Sequence, residues 1–173
     1  MKKSYVVDFL FILVMVALVW IGCSDKVTNP VPPLGTFKCN MDGDDFTASY
    51  ETAAGLGVVD MMDMTIFGGT GAFDGDSVAV TIYIVEDGSN CPCIISLGGF
   101  DSEFLVDDAT IEYFQNGITY STSHTDAHGS MFIKYSSDNI SGTFNFVAYE
   151  DGGTDSIVVK NGAFNLQLEE MPD

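Results

Sequence analysis

Residues 140–168 read I-S-G-T-F-N-F-V-A-Y-E-D-G-G-T-D-S-I-V-V-K-N-G-A-F-N-L-Q-L, and they decide the fold. Phe144, Phe146 and Ala148 fall on one side of an extended chain, with Asn145 and Val147 on the other. Ile157 and Val159 resume that alternation beyond a glycine-rich stretch. Asn161-Gly162 predicts a turn, after which Phe164, Leu166 and Leu168 alternate with Asn165 and Gln167. A period of two belongs to a strand with one buried face, because successive side chains of an extended chain point to opposite sides.

Working outward, the same pattern recurs. Phe37, Cys39 and Met41 alternate with Lys38 and Asn40, and Asp42-Gly43-Asp44-Asp45 turns the chain toward a strand from Phe46 to Tyr50. Met64 to Phe67 predicts a short strand, and Val78, Val80, Ile82 and Ile84 form the apolar face of a longer one. Ala109 to Phe114 and Ile118 to Ser121 flank Asn116-Gly117, a strong hairpin signature. Met131, Ile133 and Tyr135 alternate with Phe132 and Lys134. No long apolar stripe at helical spacing follows residue 35. The expected fold is all-β, an antiparallel β-sandwich or flattened barrel of about eight to ten strands.

Composition sets the class of partner. The chain has 173 residues, 46% of them apolar and 12% aromatic, enough to build one core. Acidic residues number 25 against six lysines, no arginine is present, and the formal charge is −19. Nothing in such a chain can neutralise a phosphate backbone, so nucleic acid is excluded as a partner. Without arginine it also lacks the usual bidentate clamp for anions.

The N-terminus reads as an address. Met1-Lys2-Lys3 is a short positive segment, and Phe9 to Ile21 is an unbroken apolar run ending at Gly22-Cys23. The run is shorter than the ~20 residues of a permanent span, as in a signal peptide. Ile21-Gly22-Cys23 resembles the end of a bacterial lipobox, with Trp20 where an aliphatic residue is usual. The expected organisation is a signal peptide over 1–22, a lipidated Cys23 with a Pro-rich tether over 23–35, and a single β domain over 36–173. Lipid on Cys23 would hold the protein to a membrane, and Ser24 after it resembles outer-membrane sorting in a bacterial cell envelope.

Three stretches together resemble a family. Phe37 to Gly43 matches an F-x-A-x-x-(D/N)-G hairpin, with Cys39 where alanine is usual; Ile140 to Ala148 matches an I-S-G-T-F-x-F-x-A strand; and Gly162-Ala163-Phe164 matches a G-x-F strand. The chain therefore resembles Bacteroidota lipoproteins that carry an all-β domain of unknown function. The resemblance implies the fold class and the lipoprotein address, and no activity or site residues.

Candidates for chemistry are few. His124, Asp126 and His128 would project to one face of an extended segment, as transition-metal ligation requires. No cofactor is expected, although Asp42 and Asp44, and Asp74 and Asp76, lie in D-G-D turns whose oxygens suit calcium. In an exported protein Cys39 would bridge to Cys91 or Cys93, closing a loop of roughly 50 residues worth about 4 kcal/mol. No catalytic motif is present, so the chain is expected to be no enzyme. The favoured reading is a non-catalytic binding or structural domain for a glycan, an envelope protein or a small apolar ligand. A lipocalin-like carrier, which needs an open apolar interior, is the alternative, and a metal-dependent enzyme using the histidine segment comes third.

Overall fold

A computed structural model describes residues 30–59, 62–85, 93–98 and 107–170, and every regular element among them is a β-strand. Residues 1–22, Cys23 and Cys91 lie outside the described residues, as do the expectations placed on them. In chain order the strands are β1 (Thr36–Met41), β2 (Asp44–Thr47), β3 (Glu51–Val59), β4 (Met62–Phe73), β5 (Asp76–Ile84) and β6 (Cys93–Leu97). Then come β7 (Asp108–Tyr113), β8 (Ile118–Ser121), β9 (His128–Tyr135), β10 (Asn139–Glu150), β11 (Ser156–Gln167) and β12 (Glu169–Glu170). Twelve strands exceed the expected number, because β3, rich in alanine and glycine, and the short β6 and β12 carry no alternation clear enough to read.

All of them join one sheet, in the order β12-β3-β4-β5-β7-β8-β10-β11-β1-β2, with β9 and β6 branching from β10. The sheet is antiparallel apart from the two-residue pairing of β12 with β3, and it curls into a half-barrel. The branch occurs because β10 is long. Its first part, Ile140 to Val147, pairs with β9, and Tyr149 and Glu150 pair with β8.

The core lies inside the curl. Val78, Val80, Ile82 and Ile84 on β5, Met131 and Ile133 on β9, and Phe144, Phe146 and Ala148 on β10 are all buried, as their alternation predicts. Aromatic rings fill the centre. Phe144 stacks on Phe37 at 5.3 Å between centroids, and Phe67 of β4 stacks on Phe164 of β11 at 4.4 Å. The Tyr135 hydroxyl donates to Thr65 Oγ1 at 2.8 Å, tying β9 to β4 across the interior.

One expected turn is a bulge. Residues 156–167 form one strand, with Asn161 at φ 53° inside it. The registers of β11 with both β1 and β10 shift there. An extra residue in left-handed conformation marks a bulge as well as a two-residue turn, and pairing on both sides of β11 selects the bulge. Downstream of it Gly142 faces Phe164 and Gly162 faces Phe144 across the β10–β11 ladder. A Cβ on Gly142 would stand 2.9 Å from Phe164 Cζ, and one on Gly162 would enter the Phe144 ring. Each ring thus lies over the bare backbone of its partner.

Candidate functional site

The histidine segment is a turn. His124 to Asp126 lies between β8 and β9 in a non-extended conformation, so its three side chains do not share one strand face. His124 Nδ1 accepts the backbone N–H of Asp126 at 3.2 Å and stands 4.0 Å from the Asp126 carboxylate. His128 Nδ1 lies 3.2 Å from the Asp126 carbonyl, and the His124 ring stacks on Tyr149 at 4.6 Å. Among the described residues no group of three or more His, Cys, Asp or Glu side chains is placed to hold a metal ion.

The acidic turns are explained by backbone geometry. Asp42-Gly43 joins β1 to β2 and Asp74-Gly75 joins β4 to β5, each as a two-residue loop. Both residues of each pair have positive φ, 51° and 107° in the first and 49° and 82° in the second. Aspartate tolerates that conformation and glycine favours it, as tight hairpins demand. Asp42 Oδ1 also accepts the Val158 N–H at 2.8 Å, and Asp76 Oδ1 accepts those of Ser77 at 2.6 Å and Gln115 at 3.1 Å. Asp44 is exposed at the start of β2.

The expected bridge would start from Cys39 on β1. Cys39 is a free, buried thiol, and burial pushes its pKa from 9.0 up to about 12. The backbone of Cys93 lies on β6, which is separated from β1 by β9, β10 and β11. The Cys93 side chain and the whole of Cys91 lie outside the described residues.

Asp108 carries the densest polar network, and sequence reading passed over it. Its Oδ1 accepts the N–H groups of Ala109 at 2.8 Å and Thr122 at 3.1 Å and the Thr122 hydroxyl at 2.5 Å; its Oδ2 accepts the Ser123 hydroxyl at 2.9 Å. The Thr122 hydroxyl in turn accepts the Ala109 N–H at 2.9 Å. With its lone pairs so engaged, this carboxylate fixes the exit from β8 and has little capacity left for a substrate. The Ser121-Thr122-Ser123 run was the available signal.

A second assembly forms where topology gathers the turns. β1 and β4 end, and β5 and β11 begin, at one end of the half-barrel, since Met41 pairs with Val159, Phe73 with Asp76, and Val78 with Tyr113. There Phe73, Tyr113 and Tyr120 lie half-buried against the last layer of the core. Tyr113 meets Phe73 at 6.5 Å and 67° between ring planes, and Tyr120 at 6.0 Å and 63°. Burial, Tyr120, and the carboxylates of Asp42, Asp74 and Asp76 push the Tyr113 pKa from 10.0 up to about 12. Tyr120 is raised likewise by burial and then by Glu150, Asp155 and Asp42. No lysine among the described residues pairs with any of these carboxylates.

With these strands in place, a family model described as a domain of unknown function, DUF6252, matches residues 35–166, well over half of the chain. The chain belongs to the DUF6252 family. Neither a curated protein nor a solved structure matches it. The DUF6252 match opens at Gly35, whose N–H bonds the Asn165 carbonyl at 2.7 Å, and closes at the buried Leu166. It thus runs from β1 to the last core residue of β11, the two strands that share a ladder.

Proposed function

We propose that this DUF6252 protein is a non-catalytic binding domain held by lipid on Cys23 to the outer membrane of a bacterial cell envelope. The observation that carries the reading is the order of parts along the chain. An apolar run over 9–21 stops at Gly22-Cys23, a Pro-rich stretch follows, and the family domain begins at residue 35. Lipid on a cysteine followed by an extended linker positions a folded domain at a surface.

Binding by the surface, in preference to carriage in an open interior, is supported by the stacked Phe37, Phe67, Phe144 and Phe164 that occupy the middle of the half-barrel. Non-catalytic character is supported by the exposed turn that holds His124 and Asp126 and by the engaged Asp108 carboxylate. The experiment is fractionation of the full chain made in a Gram-negative host. The wild type should sediment with the outer membrane and incorporate labelled palmitate, whereas Cys23→Ser should do neither. Labelled palmitate in both, or in neither, would rule out the anchor.

A further inference from the structure

The two asparagine-glycine pairs of the described residues occupy contrasting places in the fold. Asn116-Gly117 lies at the tip of the β7–β8 hairpin, where both residues are exposed and Gly117 has φ 68°. Asn116 Oδ1 accepts the Ile118 N–H at 2.9 Å, and the Gly117 N–H donates to the Tyr113 carbonyl at 2.9 Å. Asn161-Gly162 lies in the β11 bulge, between two ladders. Lys160 and Ala163 pair with Asn40 and Lys38 of β1, and Val159 and Gly162 pair with Phe146 and Phe144 of β10. Asn161 is exposed, but Gly162 is buried against the Phe144 ring.

We propose that Asn116 is a self-modifying site that converts in the folded protein to aspartate and isoaspartate, with water as co-reactant, and that the bulge withholds the same chemistry from Asn161. Asparagine is chemically labile, and a glycine after it leaves the backbone nitrogen open to approach. The Gly117 nitrogen loses its proton to solvent base and bonds to Asn116 Cγ, and the side-chain nitrogen departs as ammonia. Water then opens the cyclic imide. Attack at Cγ gives aspartate; attack at the backbone carbonyl gives isoaspartate, whose main chain runs through Cγ and gains one carbon. Nothing is oxidised or reduced. The Ile118 N–H draws electron density from the Asn116 side-chain carbonyl and so favours attack there, and the bond to the Tyr113 carbonyl must open to free the Gly117 nitrogen. A hairpin tip also accommodates the extra carbon. At Asn161, ring closure would have to turn a segment paired on both sides and draw Gly162 away from Phe144, so it waits on the opening of β11. Each conversion at the tip places a new carboxylate next to Gln115, whose N–H bonds Asp76 Oδ1 at 3.1 Å.

The test incubates the full chain for several weeks in uncharged maltoside detergent, in mildly alkaline water enriched in heavy oxygen, before chymotryptic digestion and mass spectrometry. Opening of the imide puts heavy oxygen into the new carboxylate, which separates conversion during incubation from conversion during digestion. Cuts after Phe114, Tyr120, Tyr149 and Phe164 release one peptide over 115–120 and one over 150–164. In the folded protein the first should gain label at least about tenfold faster than the second, as both aspartate and isoaspartate. In urea, where neither pair is held, the two rates should agree within about twofold. Equal labelling of the two peptides in the folded protein would overturn the proposal. So would a 115–120 peptide that is labelled in urea alone, or in neither condition.

Discussion

Cys39 shows how burial alone changes a side chain's chemistry. Its thiol keeps its proton to about 12, and Tyr113 keeps its own to about 12 as well. An unfolded chain would lose these protons near 9.0 and 10.0. The stability tied to both groups is therefore complete below pH 9 and falls as pH rises toward 12, because the unfolded state then binds fewer protons. Urea midpoints measured from pH 8 upward should decline, and Tyr113→Phe should flatten the upper part of that decline; an unchanged slope would refute the assignment. Iodoacetamide should label Cys39 only once the chain unfolds. Asp108 makes the opposite point, since removing its carboxylate takes the acceptor from the hydroxyl of the buried Thr122, while the Ala109 and Thr122 N–H groups keep the Thr122 hydroxyl and the Ala109 carbonyl. Asp108→Ala should cost about 1–2 kcal/mol in a denaturation curve. A loss below about 0.5 kcal/mol would mean that water replaces the network.

At the scale of elements, the β10–β11 pair is the centre of the fold. Phe144 over Gly162 and Phe164 over Gly142 need each other's missing side chains, so the I-S-G-T-F and G-A-F stretches form one interlocked unit. Gly162→Ala should cost about 3 kcal/mol and Phe144→Ala about 3–5 kcal/mol in thermal or urea melts. A Gly162→Ala variant as stable as the wild type would show that the ring is free to move. Strands with unbroken alternation, β5, β9 and β10, were legible from the residues alone. β3 and the Gly68-Gly69-Thr70-Gly71 part of β4 were not, because glycine and alanine carry no face to read, and ladders to neighbouring strands make them extended. Asn161 looks the same in a turn and in a bulge. The signal that separates them is parity, which changes from Ile157 and Val159 to Phe164 and Leu166, as one extra residue requires. The acidic turns were individually legible as hairpins. That Asp42, Asp74 and Tyr113 converge on one end was not, since it depends on the order of strands in the sheet.

For the whole molecule, a charge of −19 means that folding concentrates like charges. Raising sodium chloride from about 10 mM to about 200 mM should lift the melting temperature by about 2–4 °C through screening. An unmoved melt would show that the carboxylates are too dispersed to repel. The fold also has a direction. The chain enters at Gly35 and Thr36, where Asn165 holds it through its own carbonyl and through an Nδ2 bond to the Pro32 carbonyl at 2.9 Å. β1 then leads to Asp42, about 20 Å away. A force applied between Gly35 and the Asp42 turn would run parallel to β1. The ladder between β1 and β11 would then be loaded in shear, with several hydrogen bonds resisting together instead of opening one after another. The β1–β11 ladder thus lies along the direction in which it resists a pull best.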